Sequence, residues 1–280
     1  MKLHTVNTGF FKLDGGAMFG VVPKSLWNKI NPADENNLCS WAMRCLLIED
    51  GKNLILIDNG IGKKQDEKFL SHYYLHGDDT LNNSLKKLGF APEDITHNII
   101  THLHFDHCGG GIKWNDDKSG YISAFPNATF YVSKEQWDLA QNPNAREKAS
   151  FLKENILPMQ QSSKLELLPP QGNITDSISY RSVYGHTEGM IIPFVSFGMQ
   201  TLVYMADLLP SYTHIPTPWV MAYDTQPLIS MQEKHDFLQE SADNNYFLFL
   251  EHDHKVECCT VKHTEKGVRV HEMFSLAEMV

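Results

Sequence analysis

The chain has 280 residues and is acidic, with 24 Lys and Arg against 34 Asp and Glu and a net charge of −10. Its hydrophobic content of 42% and charged content of 21% are ordinary for a globular protein, and we expect one domain over residues 1–280. An acidic chain without a basic cluster argues against a nucleic-acid partner. No stretch reaches the ~18 apolar residues of a membrane span, so we expect no membrane partner either.

The cysteine content indicates a reducing compartment. The number is odd and the spacing suggests no disulfide framework; the five are Cys39, Cys45, Cys108, Cys258 and Cys259. The N-terminus shows no signal-peptide pattern, so we expect a cytoplasmic protein. Cys108 lies beside a histidine-rich motif and is an alternative metal ligand, although neighbouring histidines and aspartates already supply enough ligands.

The first predicted elements are strands. Alternating residues predict an edge strand over residues 3–7, and a Gly- and Pro-containing irregular segment follows over residues 10–40. This segment is apolar, so it either packs over a pocket or covers a sheet edge. Strands over residues 41–48 and 53–57 form a hairpin across Asp50-Gly51, which is a strong turn signal.

Helices then alternate with strands. We predict a helix over residues 79–88 that ends at Gly89, and a helix capped by Ser133 with Gln136 in a capping box. The remaining predicted helices cover residues 145–155 and Pro227 to about residue 243. Further strands are predicted over residues 98–101, 128–132, 165–168, 177–184, 190–195, 201–205, 246–250, 256–261 and 267–272. The pattern alone indicates a mixed α and β protein.

The segment Thr101–Gly111 has the strongest chemical signal. It places His102, His104, Asp106 and His107 within six positions, after an apolar strand and before three glycines. Imidazole nitrogens and carboxylate oxygens are the ligands that Zn²⁺ and similar divalent ions prefer. Residues two apart in an extended chain face the same way, so His102 and His104 can bind one ion together. The adjacent Asp106 and His107 cannot share that geometry and fit a second ion.

Three more candidate ligands each follow a predicted strand: His186, Asp207 and His252. His254 is a minor alternative to His252, because residues two apart can face the same way. The other histidines lack neighbouring ligands and are predicted to be surface or core residues; they are His4, His72, His76, His97, His214, His235, His263 and His271.

The motif His102-x-His104-x-Asp106-His107 followed by Gly109-Gly110 resembles the signature of the metallo-β-lactamase-fold hydrolases. The resemblance implies an α+β fold, an αββα sandwich of two mixed β-sheets flanked by helices. It implies one ion on His102, His104 and His186 and another on Asp106, His107 and His252. Asp207 would bridge the two, and Asp58 would orient a metal-bound histidine. The ions are two divalent metals, most suitably Zn²⁺, although Mn, Fe and Co accept the same ligands.

The resemblance further implies hydrolysis of a lactone, such as an acyl-homoserine lactone, or of a related ester by a metal-bridging hydroxide. Asp106 would transfer the proton to the leaving group, so Asp106 and Asp207 are the candidate catalytic residues. Asp207 stands where typical zinc β-lactamases use cysteine, and His104 stands where diiron oxygen reductases have glutamate. Organophosphate phosphotriesters and glyoxalase II-like thioesters remain alternative substrates, and a metal-binding interaction protein is the non-enzyme alternative.

Two apolar segments, residues 16–24 and 218–224, are similar to segments of the branch that includes quorum-quenching lactonases and methyl-parathion-type hydrolases. They suit a pocket for a hydrophobic acyl chain or an aryl group. The predicted pocket residues are Met18, Phe19, Trp27, Tyr212, Trp219 and Tyr223. A tyrosine that assists some lactonases is replaced by Pro210, with Tyr212 and Tyr223 nearby. A homodimer is left open.

Overall fold

The computed structural model describes residues 1–279 and divides into two compact units. The first unit comprises Met1–Gly9 and Met43–Pro170, and the second comprises Phe10–Ala42 and the chain from Gln171 onward. Two of the three boundaries fall inside long strands, Lys2–Asp14 and Leu38–Asp50. The expectation of a single domain over residues 1–280 stays a prediction.

The described residues form strands and short helices. The strands are Lys2–Asp14 (β1), Leu38–Asp50 (β2), Asn53–Ile57 (β3), His97–Ile99 (β4), Ile112–Trp114 (β5), Tyr121–Ser123 (β6), Thr129–Ser133 (β7), Leu165–Leu168 (β8), Gln171–Asn173 (β9), Ile178–Val183 (β10), Met190–Phe197 (β11), Gln200–Tyr204 (β12), Phe247–Phe249 (β13), Cys258–Lys262 (β14) and Arg269–Phe274 (β15). The α-helices are Gly15–Phe19 (α1), Lys24–Trp27 (α2), Glu67–Ser71 (α3), Leu81–Lys87 (α4), Phe105–Cys108 (α5), Lys134–Gln141 (α6), Lys153–Gln161 (α7) and Pro227–Asn244 (α8).

A six-stranded mixed sheet has the order β1-β2-β3-β4-β7-β8. Strands β2 and β3 are antiparallel, and Asp50 pairs with Asn53 across a two-residue turn at Gly51, whose φ is +60°. The predicted hairpin is therefore confirmed, since a positive φ is what Asp-Gly turns require. Strands β3, β4, β7 and β8 are parallel neighbours. Their carboxyl ends consequently lie at one edge, where ligand sites of such sheets form.

The core of the first unit follows from the two-residue period of its strands. Cys45 and Leu47 of β2, Leu56 of β3, and Phe130 and Val132 of β7 all belong to one buried cluster. Because alternate side chains of a strand share a face, these positions bury a continuous apolar surface. Each buried Leu, Val or Phe side chain contributes on the order of 1.5–3 kcal/mol.

Helix caps in the first unit agree with the sequence at two places. The Thr80 side chain accepts a hydrogen bond at the start of α4, and Gly89 has the positive φ of +88° that ends it. The Ser133 hydroxyl caps α6 by accepting from the Gln136 backbone N–H. The predicted helix over residues 145–155 is wrong, because α7 begins only at Lys153 and continues to Gln161. The short helix α3 was not predicted.

A seven-stranded sheet has the order β15-β14-β13-β12-β11-β10-β9. All its neighbours are antiparallel except β12 and β13. A parallel pair needs a long crossover, and α8 supplies it between Tyr204 and Phe247. As predicted, the helix begins at Pro227. Proline is tolerated in the first turn of a helix because the N–H that it lacks would have no partner within the helix.

The segment predicted to be irregular over residues 10–40 is more regular than expected. Strand β1 continues to Asp14, helices α1 and α2 follow, and β2 already begins at Leu38. The Asp14 carboxylate accepts from the Ala17 N–H and so starts α1 directly after the strand. Among residues 1–279, no helix is long and apolar enough to cross a membrane.

Candidate metal centre

The first unit holds four of the predicted ligands at the end of β4. The rings of His102 and His104 lie 4.5 Å apart, and those of His102 and His107 lie 3.9 Å apart. All three histidines are buried, and Asp106 is half-buried. Asp106 and His107 lie on the short helix α5 rather than on a loop, and the glycines form a 3₁₀ turn rather than breaking regular structure.

The three glycines allow close backbone approach. A Cβ on Gly109 would overlap the carbonyl oxygen of Ile61, and a Cβ on Gly110 would overlap that of Asn59. The two segments are joined by hydrogen bonds from Asn59 N to His107 O (2.7 Å) and from Gly110 N to Gly60 O (2.8 Å). A side chain at Gly109 or Gly110 would force the segment that carries His107 away from residues 59–61.

Asp58 is the support of His107. It is fully buried at the end of β3, and its carboxylate accepts from Thr101 N (2.8 Å), Thr101 Oγ1 (2.7 Å) and His107 Nδ1 (3.0 Å). Its φ of +57° is a strained conformation for a residue with a side chain. Because the bond occupies Nδ1, the lone pair of His107 is on Nε2. The hydrogen bond fits the predicted role of Asp58 toward a metal ligand, and that role stays a prediction.

The surroundings of His104 include a carboxylate that the sequence did not indicate. His104 Nε2 lies 3.7 Å from Oε1 of Glu147, which is buried, and the His104 ring packs on Phe151. Glu147 lies in the segment that was wrongly predicted as helix. No local pattern distinguishes it from a surface glutamate, so sequence reasoning could not have found it.

The second unit brings its three predicted ligands together. His186 Nε2 lies 3.0 Å from Asp207 Oδ2, and His252 Nε2 lies 3.2 Å from Asp207 Oδ1. All three side chains are buried. Asp207 and His252 follow the parallel neighbours β12 and β13, which places them at the same edge of the sheet. The contact with Asp207 is made by His252, which favours it over His254.

The other ring nitrogens in this unit are also bonded. His252 Nδ1 lies 2.7 Å from the carbonyl oxygen of Ala42, and His186 Nδ1 lies 3.0 Å from Asp224 Oδ1. Both histidines therefore have Nδ1 bonded and direct Nε2 toward the Asp207 carboxylate. Asp224 was missed by sequence reasoning. Its signal was a single acidic residue at the end of the apolar segment 218–224.

This arrangement fits a cation. A buried carboxylate that faces two imidazole Nε2 atoms is stabilised by positive charge beside it, from a proton or from a metal ion. Burial alone would lower the pKa of His186, but the carboxylates of Asp207 and Asp224 outweigh burial and raise it to about 10. A divalent ion supplies such charge, and two imidazoles with one carboxylate are zinc-type ligands. The residues present thus suit a divalent metal.

Cys108 does not resemble a ligand. Its thiol is fully buried and lies 3.5 Å from the carbonyl oxygen of Leu103, to which it donates. Burial raises its pKa to about 12, whereas a metal ligand must be a thiolate. The five cysteines are all buried and free.

The predicted substrate pocket requires a correction. Met18, Phe19 and Trp27 are 1%, 0% and 2% exposed, so they form core and cannot line an open pocket. Phe19 stacks between Trp27 (5.1 Å) and His214 (4.9 Å), because the aromatic segment is buried by its own unit. Tyr212 and Trp219 are half-buried and Tyr223 is 39% exposed, so these three stay candidates.

Comparison with known proteins identifies the class. Residues 44–252 match the model of the metallo-β-lactamase superfamily. A solved structure of a probable metal-dependent hydrolase from Staphylococcus aureus is 30% identical, with a TM-score of 0.89 and coverage of 98% of this chain and 96% of that one. The chain belongs to the metallo-β-lactamase superfamily. Its predicted α+β fold with mixed sheets is confirmed, and it is an enzyme of the hydrolase type.

The relatives with named activities are lactonases. An N-acyl homoserine lactonase from Bacillus sp is 26% identical over 198 residues, 67% of each chain. The dizinc quorum-quenching lactonase AidC is 25% identical, with a TM-score of 0.78 and coverage of 98% of this chain and 95% of that one. Other curated Bacillus lactonases are matched over 56% of their own length.

Proposed function

We propose that this protein is a dinuclear metal hydrolase that opens a lactone such as an N-acyl homoserine lactone. The observation that carries the proposal is the buried trio of the second unit, in which two imidazole Nε2 atoms face the two oxygens of Asp207 at 3.0 and 3.2 Å. The lactonase relatives support the substrate class, and the family supports hydrolysis.

The proposed ligand assignment keeps the seven residues predicted from the sequence. One ion would be held by His102, His104 and His186, and the other by Asp106, His107 and His252. Asp207 would be shared by both, and zinc suits this donor set best. Support comes from the motif and from the fact that each unit by itself gathers its share of these residues in a buried setting.

When bound, the ions supply a nucleophile at neutral pH and polarise the substrate carbonyl. The chain supplies orientation and proton transfer. Hydrogen bonds on Nδ1 fix the tautomers of His107, His186 and His252. Asp106 is half-buried on the first turn of α5, with Oδ2 3.7 Å from His107 Nε2, and we assign it transfer of a proton to the leaving alcohol.

Asp106→Asn tests this role, because the amide keeps the shape and cannot transfer the proton. Lactone turnover should fall by ~10²–10⁴-fold. Metal content of the same preparation must be measured beside the rate. Near-normal turnover by a metal-replete Asp106→Asn protein would contradict the assignment.

The substrate class is tested by a side-by-side panel. The probes are N-hexanoyl-homoserine lactone, an aryl phosphotriester and an acyl thioester, each assayed with metal-replete and metal-free enzyme. We expect metal-dependent opening of the lactone at the highest kcat/KM. Preferred cleavage of the phosphotriester or the thioester would replace the substrate, and no turnover of any probe by the metal-replete enzyme would overturn the proposed activity.

A further inference from the structure

Asp224 is the least expected residue near the second unit's ligands. It is 4% exposed, and its two oxygens have different partners. Oδ1 accepts from His186 Nδ1 at 3.0 Å, whereas Oδ2 accepts from the backbone N–H of Met221 at 3.2 Å. The carboxylate therefore links a candidate metal ligand to the segment Pro218–Asp224.

The link is reinforced by the backbone. Thr225 N donates to His186 O (3.1 Å), and Gln226 N donates to Gly185 O (2.9 Å). The Glu233 carboxylate, from α8, accepts from Tyr184 N (2.8 Å) and Gly185 N (3.0 Å). These bonds hold the backbone of His186 independently of its ring. What Asp224 adds at His186 is therefore specific to the ring, through the bond to Nδ1.

The segment that provides Asp224 is itself anchored. The buried Lys234 donates to the carbonyl oxygens of His214 (2.8 Å), Pro216 (3.2 Å) and Trp219 (2.6 Å). Ala222 N donates to Ala17 O (2.8 Å). Asp224 thus acts from a fixed backbone, which is what a group needs in order to position another side chain.

We propose that Asp224 is a positioning residue that orients the His186 ring and fixes its Nδ1–H tautomer, so that Nε2 binds the metal. This inference rests on the proposed function. Without the bond the ring can rotate or change tautomer, and metal affinity falls. Loss of such a partner typically weakens metal binding by about 10–100-fold.

The test measures metal affinity by chelator competition for wild type, Asp224→Ala, Asp224→Asn and Asp224→Glu. Asp224→Ala should lose about 10–100-fold in affinity for one ion. Asp224→Asn keeps an acceptor oxygen at the same place, so it should recover most of the loss. Asp224→Glu keeps the charge but displaces it by one methylene, so it should also weaken binding. The exposed Asp236→Asn on α8 is the matched control and should equal wild type.

The visible absorption of the cobalt-substituted proteins provides a second readout. A reoriented ring should change the cobalt spectrum of Asp224→Ala and leave that of Asp236→Asn unchanged. If Asp224→Ala does not fold, the metal affinities of Asp224→Asn and Asp224→Glu distinguish an effect of the position of the acceptor oxygen from an effect of its charge.

The outcomes separate the two proposals. Wild type that binds no metal overturns the proposed function itself. Wild type that binds metal, with Asp224→Ala of equal affinity and spectrum, overturns only the role of Asp224. Asp224→Asn as weak as Asp224→Ala, or Asp224→Glu equal to wild type, would show that charge rather than position matters and would also overturn it.

Discussion

His107 of the first unit and His186 of the second each have a buried carboxylate as hydrogen-bond partner, but the two carboxylates come from different kinds of segment. Each donates through Nδ1 to a buried carboxylate at 3.0 Å, from Asp58 and Asp224 respectively. Asp58 follows β3, the strand beside β4, and the turn after it also meets the ligand segment. Asp224 instead belongs to an irregular segment 38 residues beyond its histidine.

The difference shows which parts of such a site a sequence can reveal. A support that follows a strand beside the ligand's own strand is placed by the sheet. Asp58 was predicted because the resemblance to the family implies a carboxylate after this strand. A support on an irregular segment depends on tertiary packing, here on the bonds from Lys234 and Ala222, and the sequence signal of Asp224 is only one acidic residue after an apolar segment. Both arrangements give the same chemistry.

The largest effect should come from removing a proposed metal ligand in either unit. His104→Ala and His186→Ala should each lower lactone turnover by at least ~10³-fold, because the metals' contribution is several kcal/mol of the barrier. Exposed His72→Ala is the control and should match wild type. A large loss in only one region would mean that the two sets of residues do not serve one reaction.

Removing Asp58 and removing Asp224 should lower the free energy of unfolding by different amounts. Asp58→Ala leaves the buried N–H and hydroxyl of Thr101 without their acceptor, so urea unfolding should show a loss of about 2–4 kcal/mol. Apart from the histidine ring N–H that each carboxylate also accepts, Asp224→Ala leaves only one backbone N–H, that of Met221, and should lose about 1–2 kcal/mol. Equal losses from the two substitutions would refute this distinction.

Close backbone approach is common to both regions. Gly110→Ala would overlap the Asn59 carbonyl oxygen, and Gly185→Ala would overlap the Ser230 backbone at the start of α8. Each should cost about 1–3 kcal/mol in thermal or urea unfolding. Gly120→Ala meets nothing closer than 3.9 Å and should be neutral. If the stability of Gly110→Ala equals that of wild type, the segment that carries His107 can move away from Asn59 without cost, and the prediction is wrong.

A further prediction concerns the stability of the folded chain in acid. Burial lowers the pKa of His214 to about 3, while Nε2 donates to Met18 O and Nδ1 lies 2.7 Å from the Ser211 hydroxyl. Between pH 6.5 and 3 the unfolded chain binds a proton that the folded chain does not, so stability falls as the pH falls. At pH 5 this one residue should cost about 2 kcal/mol relative to pH 7.5.

His97 offers the matching residue of the first unit, since burial also lowers its pKa but it is only half-buried. His214→Gln should therefore remove more of the acid dependence of urea unfolding than His97→Gln. The reverse order would contradict the assignment of a neutral, buried His214.

Much of the fold was predictable because its signals are local. The Asp50-Gly51 turn, the Ser133 cap, the Pro227 helix start and the strand over residues 165–168 all depend on neighbouring residues. Residues 10–40 and 145–155 were assigned wrongly because their glycines, prolines and polar residues give no clear periodic pattern. The secondary structure of such short elements depends on their burial. The same limit applies to the predicted pocket, since Phe19 packs on both Trp27 and His214 and is buried.

The central claim is that two metal ions on this chain open a lactone. The most direct measurement adds zinc stepwise to metal-free enzyme and follows both bound zinc and the rate of N-hexanoyl-homoserine lactone opening. We expect the rate to rise with occupancy and to reach its plateau at two bound equivalents. A plateau at one equivalent, or two bound equivalents with no lactone opening, would contradict the account.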